Sequence, residues 1–348
     1  MHIVRFAILL VSLAVVFQNG PLAQTTAASE TNSTADFDRW LEGLRAEAEA
    51  AGIGKEILSV ALSGLEPIPR VIELDRHQPE FTQTFTQYLA ARLSRTRIER
   101  GQRMMAENKA LLTRVAEQYE VQPRFIAAIW GLETNYGSFM GGYPVIGALA
   151  TLAFDGRRST FFRKELLNAL KVLDEGHIGF SEMLGSWAGA MGQSQFMPSS
   201  FLTFARDQDG DGRADIWGNR ADVFASIANY LARHGWSDDQ TWGREVKLPP
   251  GFGDRLAELK PGTQPKSCRR ALKHHTVSLS LPEWQALGVR RADGRDLPDR
   301  ALQATLVMPQ GTDGPAYLTY RNYRSILRYN CSNFYAIAVG ALADRIAR

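Results

Sequence analysis

One acidic residue stands at the end of an otherwise uncharged segment. Residues 125–133 read Phe-Ile-Ala-Ala-Ile-Trp-Gly-Leu-Glu, in which Trp130 is the only other side chain able to form a hydrogen bond. At about 100° per residue, Glu133 falls on the apolar stripe of a predicted helix, so its carboxyl is directed toward the core. A buried carboxylate either pairs with a cation or raises its pKa until it holds a proton. Two interpretations follow: a general acid that protonates a glycosidic oxygen, or a structural acid paired with Arg124, Arg158 or Arg163.

A second segment downstream combines small residues with uncharged polar ones. Residues 185–200 include several Gly and Ala together with Ser186, Gln193 and Gln195. Amide and hydroxyl groups fix the orientation of polar ligands in a pocket, so this mixture favours a carbohydrate groove. Small residues are also typical of a close helix crossing, and that alternative stays open. Before this segment, the Gly141-Gly142 pair predicts a turn at the edge of a cleft.

A third segment, residues 207–218, has the spacing of a calcium loop. Asp207, Asp209 and Asp211 occupy positions 1, 3 and 5, and Gly212 occupies position 6. Hard oxygen ligands on alternating residues suit Ca²⁺. Position 12, which normally supplies a bidentate Glu, is Gly218. The pattern therefore predicts a calcium loop with an altered end, and the alternative is a solvated acidic turn.

The composition is that of a globular protein. The chain has 348 residues, of which 45% are hydrophobic and 22% charged, which excludes disordered and fibrous classes. This length allows one large domain or a few packed lobes. The net charge of +3 is small, and the charges look evenly scattered, so nucleic acid is not an expected partner.

The first 28 residues read as a secretory signal peptide. Arg5 precedes an apolar run over residues 6–17, and small residues allow cleavage near Ala27 or Ala28. The run is shorter than the roughly 18 to 20 residues that cross a bilayer, so no membrane-spanning segment is expected; an uncleaved amphipathic anchor is the alternative. The cleavage region lacks the Cys of a lipoprotein. The sequence thus predicts a soluble exported protein, in the periplasm, with a polar lead-in at 29–35.

The chain contains two cysteines, Cys268 and Cys331. An oxidising compartment permits them to pair, which makes a disulfide the favoured interpretation. Two cysteines are too few for a zinc site here, since the adjacent His274 and His275 lack ligand spacing.

Helical periodicity dominates the mature chain. Residues 245–318 instead show turn residues and short β-prone runs, and a loop is expected around Pro67 and Pro69. The predicted class is mainly α (α+β). Helices are predicted from Phe37 to Leu44, and at 53–62, 81–119, 123–134, 160–174, 220–234 and 323–347.

Four separated motifs, in order, resemble the membrane-bound lytic murein transglycosylase B family. They are Trp130-Gly-Leu-Glu-Thr-Asn-Tyr-Gly137, Ser186-Trp-Ala-Gly-Ala-Met-Gly192 with Gln195-Phe-Met-Pro-Ser-Ser200, Ala228-Asn-Tyr230, and Tyr329-Asn330. The resemblance covers residues 36–348 and implies a lysozyme-like helical core. It places an N-terminal helical lobe at 36–120, a catalytic core at 121–244 with the calcium loop at 207–222, a small β-rich lobe at 245–320, and a C-terminal helix at 321–348 that returns to the core.

The resemblance also assigns roles to residues. Glu133 stands where this family keeps its single catalytic acid, and Asp222 stands where it completes the calcium shell, with the carbonyl of Arg213 contributing. The implied metal is structural, and no organic cofactor is implied. The positions at which the family lines its sugar groove are Ser186, Gln195, Tyr230, Tyr329, Asn330 and Tyr335.

The implied activity is that of a lytic transglycosylase. It would cleave the β-1,4 bond between N-acetylmuramic acid and N-acetylglucosamine in peptidoglycan glycan strands without water, leaving 1,6-anhydro ends. Candidates for the second carboxylate that a hydrolase needs are Asp155, Asp174 and Glu175, but each lies among polar neighbours. A hydrolytic muramidase and a non-catalytic, calcium-dependent peptidoglycan-binding protein remain the alternatives. Cell-wall synthesis or division proteins are conceivable partners.

Overall fold

The computed structural model describes residues 24–77, 83–263 and 265–348. These residues are mainly helical, with a small antiparallel sheet toward the C-terminus, so the predicted fold class is confirmed. The α-helices are α1 Gln24–Ala50, α2 Lys55–Leu62, α3 Pro69–Arg76, α4 Phe85–Arg92, α5 Arg95–Glu107, α6 Lys109–Tyr119, α7 Pro123–Thr134, α8 Val145–Asp155, α9 Ser159–Asp174, α10 Pro198–Phe204, α11 Arg220–Arg233, α12 Arg269–Leu272, α13 Leu281–Ala286, α14 Arg321–Tyr329 and α15 Asn333–Ile346.

The N-terminal predictions fall partly outside these residues. The signal peptide predicted at 1–28 lies mostly in residues 1–23, which are outside the described part of the chain. Helix α1 begins at Gln24 and includes the lead-in at 29–35. The helical pattern predicted across 81–119 forms three helices, α4 to α6, because Ser94 caps α5 through the amide of Arg97 and Asn108 separates α5 from α6.

Helix α7 is the central helix of the larger core. It begins at Pro123, whose fixed φ and missing N–H suit the first helical turn, and it ends at Thr134, as predicted. Residues 125–131 are all buried, and α5, α6, α11 and α15 pack around them. Its last turn carries Leu132 and Glu133, which are half-buried. The core thus holds this helix rigidly and presents its C-terminal end at a surface.

A small sheet forms a second hydrophobic core. Its five antiparallel strands lie in the order β4-β6-β7-β3-β5, and the fully buried Trp284 and Leu281 of α13 belong to the same core. A separate two-stranded ribbon, β1 with β2, lies beside α8. The strands are β1 Tyr143–Pro144, β2 Leu184–Gly185, β3 Gly243–Lys247, β4 Leu279–Ser280, β5 Arg290–Arg291, β6 Gln303–Val307 and β7 Ala316–Thr319.

The prediction of a single C-terminal helix at 323–347 is wrong. The chain forms two helices, α14 and α15, separated by residues 330–332. Asn330 is extended, with φ −145° and ψ 120°, and Ser332 caps α15 by accepting a hydrogen bond from the amide of Tyr335. This break lets α14 pack on α11 while α15 packs on α7. Similarly, the loop predicted around Pro67 and Pro69 ends early, because Pro69 begins α3.

Candidate active site and metal loop

The carboxylate of Glu133 lies in the last turn of α7 and is half-buried. Tyr335, on α15, donates a hydrogen bond from its hydroxyl to Oε1 of Glu133 at 2.5 Å. Burial and the adjacent carboxylate raise the pKa of Tyr335 well above its usual value of 10, so the tyrosine remains a donor. Two helices that are distant in sequence therefore meet at this acid.

The three arginines considered as structural partners of Glu133 are paired with other carboxylates. Arg124 bonds Asp344 at 3.1 Å, while Arg158 bonds Asp75 and Arg163 bonds Glu47. The structural interpretation of Glu133 as the partner of one of these cations therefore loses its support.

The chain beyond Glu133 turns sharply and is tied to the segment at 185–200. Asn135 and Tyr136 have positive φ angles of 50° and 61°, which end α7. The indole of Trp130 donates to Oε1 of Gln193 at 2.8 Å, and Nε2 of Gln193 donates to the carbonyl of Trp217 at 2.7 Å. Gln193 belongs to the segment predicted to form the groove, but it is buried and connects α7 to the loop at 207–222, which we call the acidic loop. Its amide thus fixes the position of the acid-bearing helix end.

Two predicted groove tyrosines form one wall with Phe196. The rings of Tyr230 and Tyr329 lie 4.7 Å apart, and both lie within 5.7 Å of the Phe196 ring. The Tyr329 hydroxyl donates to the carbonyl of Ser194 at 2.7 Å, and the Tyr230 hydroxyl donates to a backbone carbonyl at 2.6 Å. Burial raises the pKa of Tyr230 to about 12. Burial and the charge of Glu133 raise the pKa of Tyr329. Tyr329 therefore lies near Glu133, whereas the buried ring of Tyr230 packs against Tyr329, Phe204 and His234.

The remaining predicted groove residues lie on the connecting loops. Gln195 has a positive φ of 50° and donates from Nε2 to the carbonyls of Met140, at 3.0 Å, and Gly192, at 2.9 Å. The hydroxyl of Ser186 accepts a hydrogen bond from a backbone amide at 3.0 Å. Asn330 is exposed in the break between α14 and α15.

A cavity of about 480 Å³ adjoins these loops. Met140 lines it and also accepts the hydrogen bond from Gln195. Gly141 lines it with φ 94°, and a Cβ there would lie 2.1 Å from the carbonyl oxygen of Gly185, so only glycine fits this approach. Phe139, just before them, is 73% exposed, a feature the sequence patterns did not single out. The lining residues are Met140, Gly141, His177, Ile178, Glu182, Leu184, Arg213, Asp215, Trp217 and Gly218.

The first three carboxylates of the acidic loop lie close together. Oxygens of Asp207, Asp209 and Asp211 all lie within 4.8 Å of one another, on exposed side chains. Asp222 lies outside that group; its buried carboxylate accepts hydrogen bonds from the amides of Gln208, at 2.8 Å, and Asp215, at 2.7 Å. Burial is the main cause that raises the pKa of Asp222 to about 6, and the charges of Asp207 and Asp209 raise it further.

This donor set fits a hard divalent cation. Several carboxylates of like charge converge, which is unfavourable without a compensating charge. The guanidinium of Arg213 lies 3.5 Å from Asp211 and gives partial compensation from the side. The loop therefore offers the oxygen ligands that Ca²⁺ prefers, from Asp207, Asp209 and Asp211.

The structure joins Cys268 and Cys331 in a disulfide, with their Cα atoms 5.0 Å apart. The bond ties the start of α12 to the break between α14 and α15. Among the described residues, no helix combines the length and apolar character needed to cross a bilayer.

Comparisons with known proteins agree on one family. The family model described as "Transglycosylase SLT domain" matches residues 36–344. Membrane-bound lytic murein transglycosylase B of Escherichia coli (strain K12) is 33% identical over 237 residues, covering 68% of this chain and 60% of that relative. The match thus spans less than two thirds of the curated relative's length.

Two solved structures show the same likeness. SltB3 of Pseudomonas aeruginosa, in complex with NAG-anhNAM-pentapeptide, has a TM-score of 0.82 and 44% sequence identity, covering 89% of this chain and 79% of its own. The Escherichia coli lytic transglycosylase Slt35, in complex with calcium, has a TM-score of 0.70 and 28% identity, covering 90% of this chain and 93% of its own.

Proposed function

The chain belongs to the transglycosylase SLT domain family, as its resemblance to lytic murein transglycosylase B indicated, and from that premise we propose that it is a lytic transglycosylase. Its substrate is the glycan strand of peptidoglycan, and the bond cleaved is the β-1,4 link between N-acetylmuramic acid and N-acetylglucosamine. The observation that carries the proposal is the carboxyl group of Glu133, half-buried at the end of an apolar helix and held by Tyr335 at 2.5 Å.

In the first step, Glu133 acts as a general acid. It gives its proton to the bridging oxygen, the bond between that oxygen and C1 of the muramyl residue breaks, and the glucosaminyl residue leaves as an alcohol. The 2-acetamido group of the muramyl residue supports the positive charge that develops at C1. The proposal requires that the acid is protonated before this step, and the half-buried position of its carboxyl supports that requirement.

In the second step, the same Glu133 acts as a general base. The ionised carboxylate takes the proton from the C6 hydroxyl as that oxygen closes onto C1, which forms the 1,6-anhydro ring and restores the protonated acid. No water is consumed. The hydrogen bond from Tyr335 stabilises the carboxylate between the two steps, because a donor within hydrogen-bond distance favours the ionised form.

A single carboxylate is sufficient for this chemistry, and the other candidate acids are engaged elsewhere. Asp155 pairs with Arg76 at 2.7 Å, and Asp174 accepts a hydrogen bond from the amide of Gly54 at 2.9 Å. Glu175, the residue directly after α9, lies 3.7 Å from Lys171 in the last turn of that helix. A hydrolase of the usual kind needs its second carboxylate across the sugar ring, so these contacts favour the route without water.

We assign the other groove residues to positioning of the sugar rather than to proton transfer. The family resemblance supports this role for Ser186, Gln195, Tyr230, Tyr329 and Asn330, with Ser186 and Asn330 orienting the acetamido group. Orientation of this kind lowers the barrier by fixing the reacting atoms near their transition-state positions.

The acidic loop would hold one structural Ca²⁺ through Asp207, Asp209 and Asp211. The family resemblance, rather than this cluster, assigns Asp222 and the carbonyl of Arg213 to the rest of the shell. The bound ion would supply charge compensation for these carboxylates. Because Gln193 bonds the carbonyl of Trp217 in this loop, a loop held in place also holds the end of α7 in place.

We place this activity in the periplasm, after cleavage of the signal peptide near Ala27 or Ala28. The glycan strand is the proposed partner, and the SltB3 complex with a muropeptide supports it by similarity.

The test is digestion of purified sacculi by the mature protein. The Glu133→Gln variant, which cannot donate or accept this proton, is expected to release fragments about 10²- to 10⁴-fold more slowly than wild type, with an unchanged melting temperature. The matched control, Glu175→Gln, removes a surface carboxylate and is expected to digest sacculi at the wild-type rate. Normal digestion by Glu133→Gln would refute the assignment of the acid.

A further inference from the structure

Two segments of the chain carry basic residues and no acidic ones. Residues 259–282 contain five Lys or Arg, and residues 314–343 contain three, without any Asp or Glu. Because the whole chain has a net charge of only +3, the rest of it is net acidic. The charge that looks evenly scattered along the sequence is therefore concentrated in these two segments.

The fold brings the two segments together. The disulfide between Cys268 and Cys331 joins them directly. Close to it, Nδ2 of Asn333 donates to the carbonyl of Ala271 at 3.0 Å, which fixes α12 against the start of α15. The positive charge of Arg324 on α14 also lowers the pKa of His275, just beyond α12, although burial is the larger cause. The cations of α12 and α14 therefore belong to one region of the surface.

These cations are exposed. On α14, residues 322, 323 and 325–327 are buried, whereas Arg324 and Arg328 are exposed and, being four residues apart, lie on one side of the helix. Within the described part of the chain, no carboxylate lies within ion-pair distance of Arg269, Lys273, Arg324 or Arg328. We call this region the basic face; its residues are Lys266, Arg269, Arg270, Lys273, Arg324 and Arg328.

The basic face borders the proposed sugar groove. Arg328 directly precedes Tyr329 and Asn330, and its carbonyl accepts the hydrogen bond from the Tyr230 hydroxyl at 2.6 Å. The guanidinium charge of Arg328 also lowers the pKa of His234, together with burial as the larger cause. A strand bound in the groove would thus extend its attached groups toward these cations.

We propose that the basic face binds the free carboxylates of the peptides attached to the glycan strand, outside the sugar groove. This inference rests on the proposed function. The predicted groove residues are uncharged apart from Glu133, whereas the attached peptides carry carboxylates that exposed cations attract at a distance. A lipid surface fits less well, since membrane-surface binding combines cations with inserted apolar side chains. The large exposed hydrophobic side chains of the described residues are Val60, Phe139, Phe161, Phe180 and Leu184, all outside the basic face.

The test measures binding to purified sacculi in the Glu133→Gln background, which prevents turnover. Arg269→Gln with Lys273→Gln removes two charges from the α12 side, and Arg324→Gln with Arg328→Gln removes two from α14. Together they are expected to weaken binding about tenfold in about 50 mM salt, with each pair giving part of the loss and little difference left in about 500 mM salt. The control, Lys55→Gln with Arg114→Gln on the N-terminal helices, is expected to bind like the parent.

Glycan strands stripped of peptides by an amidase complete the test. Parent and basic-face variants are expected to bind these strands equally. The inference is overturned if folded variants, checked by their melting temperatures, bind intact sacculi as tightly as the parent at low salt, or lose the same affinity for stripped strands. It is also overturned if the parent prefers anionic vesicles or nucleic acid to sacculi. Failure of the proposed function has another signature, because a protein with intact Glu133 would then release no fragments.

Discussion

Removing one hydroxyl group, by Tyr335→Phe, should change the pH dependence of the reaction. The hydroxyl donates to Oε1 of Glu133 at 2.5 Å, so its loss withdraws a hydrogen bond from the ionised form of the acid. A hydrogen bond to a charged group contributes about 1.5 to 3 kcal/mol. At 1.36 kcal/mol per pH unit, the variant should keep Glu133 protonated to a pH about 1 to 2 units higher than wild type does.

The Tyr335→Phe substitution should affect the two steps of the reaction differently. The first step needs protonated Glu133, so the alkaline limb of the pH–activity profile should move upward by about 1 to 2 pH units. The second step needs the ionised carboxylate that Tyr335 stabilises, so the maximal rate should fall. The assay is the initial rate of fragment release from sacculi, measured between pH 4 and 9 for both proteins.

Tyr230→Phe is the matched control. It removes a hydroxyl of the same kind from the same groove, but that hydroxyl donates to the carbonyl of Arg328 and not to an acid. Its pH profile should keep the wild-type limbs, whatever happens to its rate. An unchanged alkaline limb in Tyr335→Phe, or an equal shift in Tyr230→Phe, would show that the contact with Glu133 does not govern proton transfer.

Three further predictions concern stability. Ca²⁺ at about 100 times its dissociation constant should stabilise the protein by about 2.7 kcal/mol, and Asp209→Ala should abolish this gain in calorimetry; an unchanged titration would remove the metal site. Burial lowers the pKa of His275 to about 4 in the folded protein, whereas the unfolded chain binds this proton below about pH 6.5. The free energy of unfolding should therefore fall by about 3 kcal/mol between pH 7 and pH 4. His275→Gln should flatten that part of the curve, and His274→Gln, at an exposed residue, should not. Reduction of the Cys268–Cys331 disulfide, which closes a 63-residue separation, should lower the free energy of unfolding by about 4 kcal/mol in urea titrations; a loss under about 1 kcal/mol would contradict the loop-entropy reasoning.

Local signals predicted the helix that carries the acid. Pro123 begins α7, and the Thr-Asn-Tyr-Gly sequence after Glu133 ends it, because both boundaries depend on backbone preferences of the residues themselves. The apolar periodicity of α7 likewise predicted a buried helix with the acid at its end. Helix α8, Val145–Asp155, is buried over residues 145–153 and almost entirely apolar there, so it lacks the two-faced pattern by which the other helices were recognised.

Such local signals could not predict contacts between residues that are far apart in the sequence. Tyr335 lies 202 residues from Glu133, and only the family resemblance pointed to it. The bond from Trp130 to Gln193, and the concentration of cations on the basic face, likewise depend on how helices pack and on which cysteines pair. The break at Asn330 is a further case, since the residues around it are compatible with a continuous helix until the disulfide and the cap at Ser332 are considered.

The most direct test of the central claim is the mass of the products formed from sacculi in water enriched in heavy oxygen. If Glu133 alone serves as acid and then as base, the muramyl ends should be 1,6-anhydro sugars, one water lighter than reducing ends and free of heavy oxygen. Reducing muramyl ends that carry the heavy isotope would show that water attacks C1, and the account of a single carboxylate acting twice would be wrong.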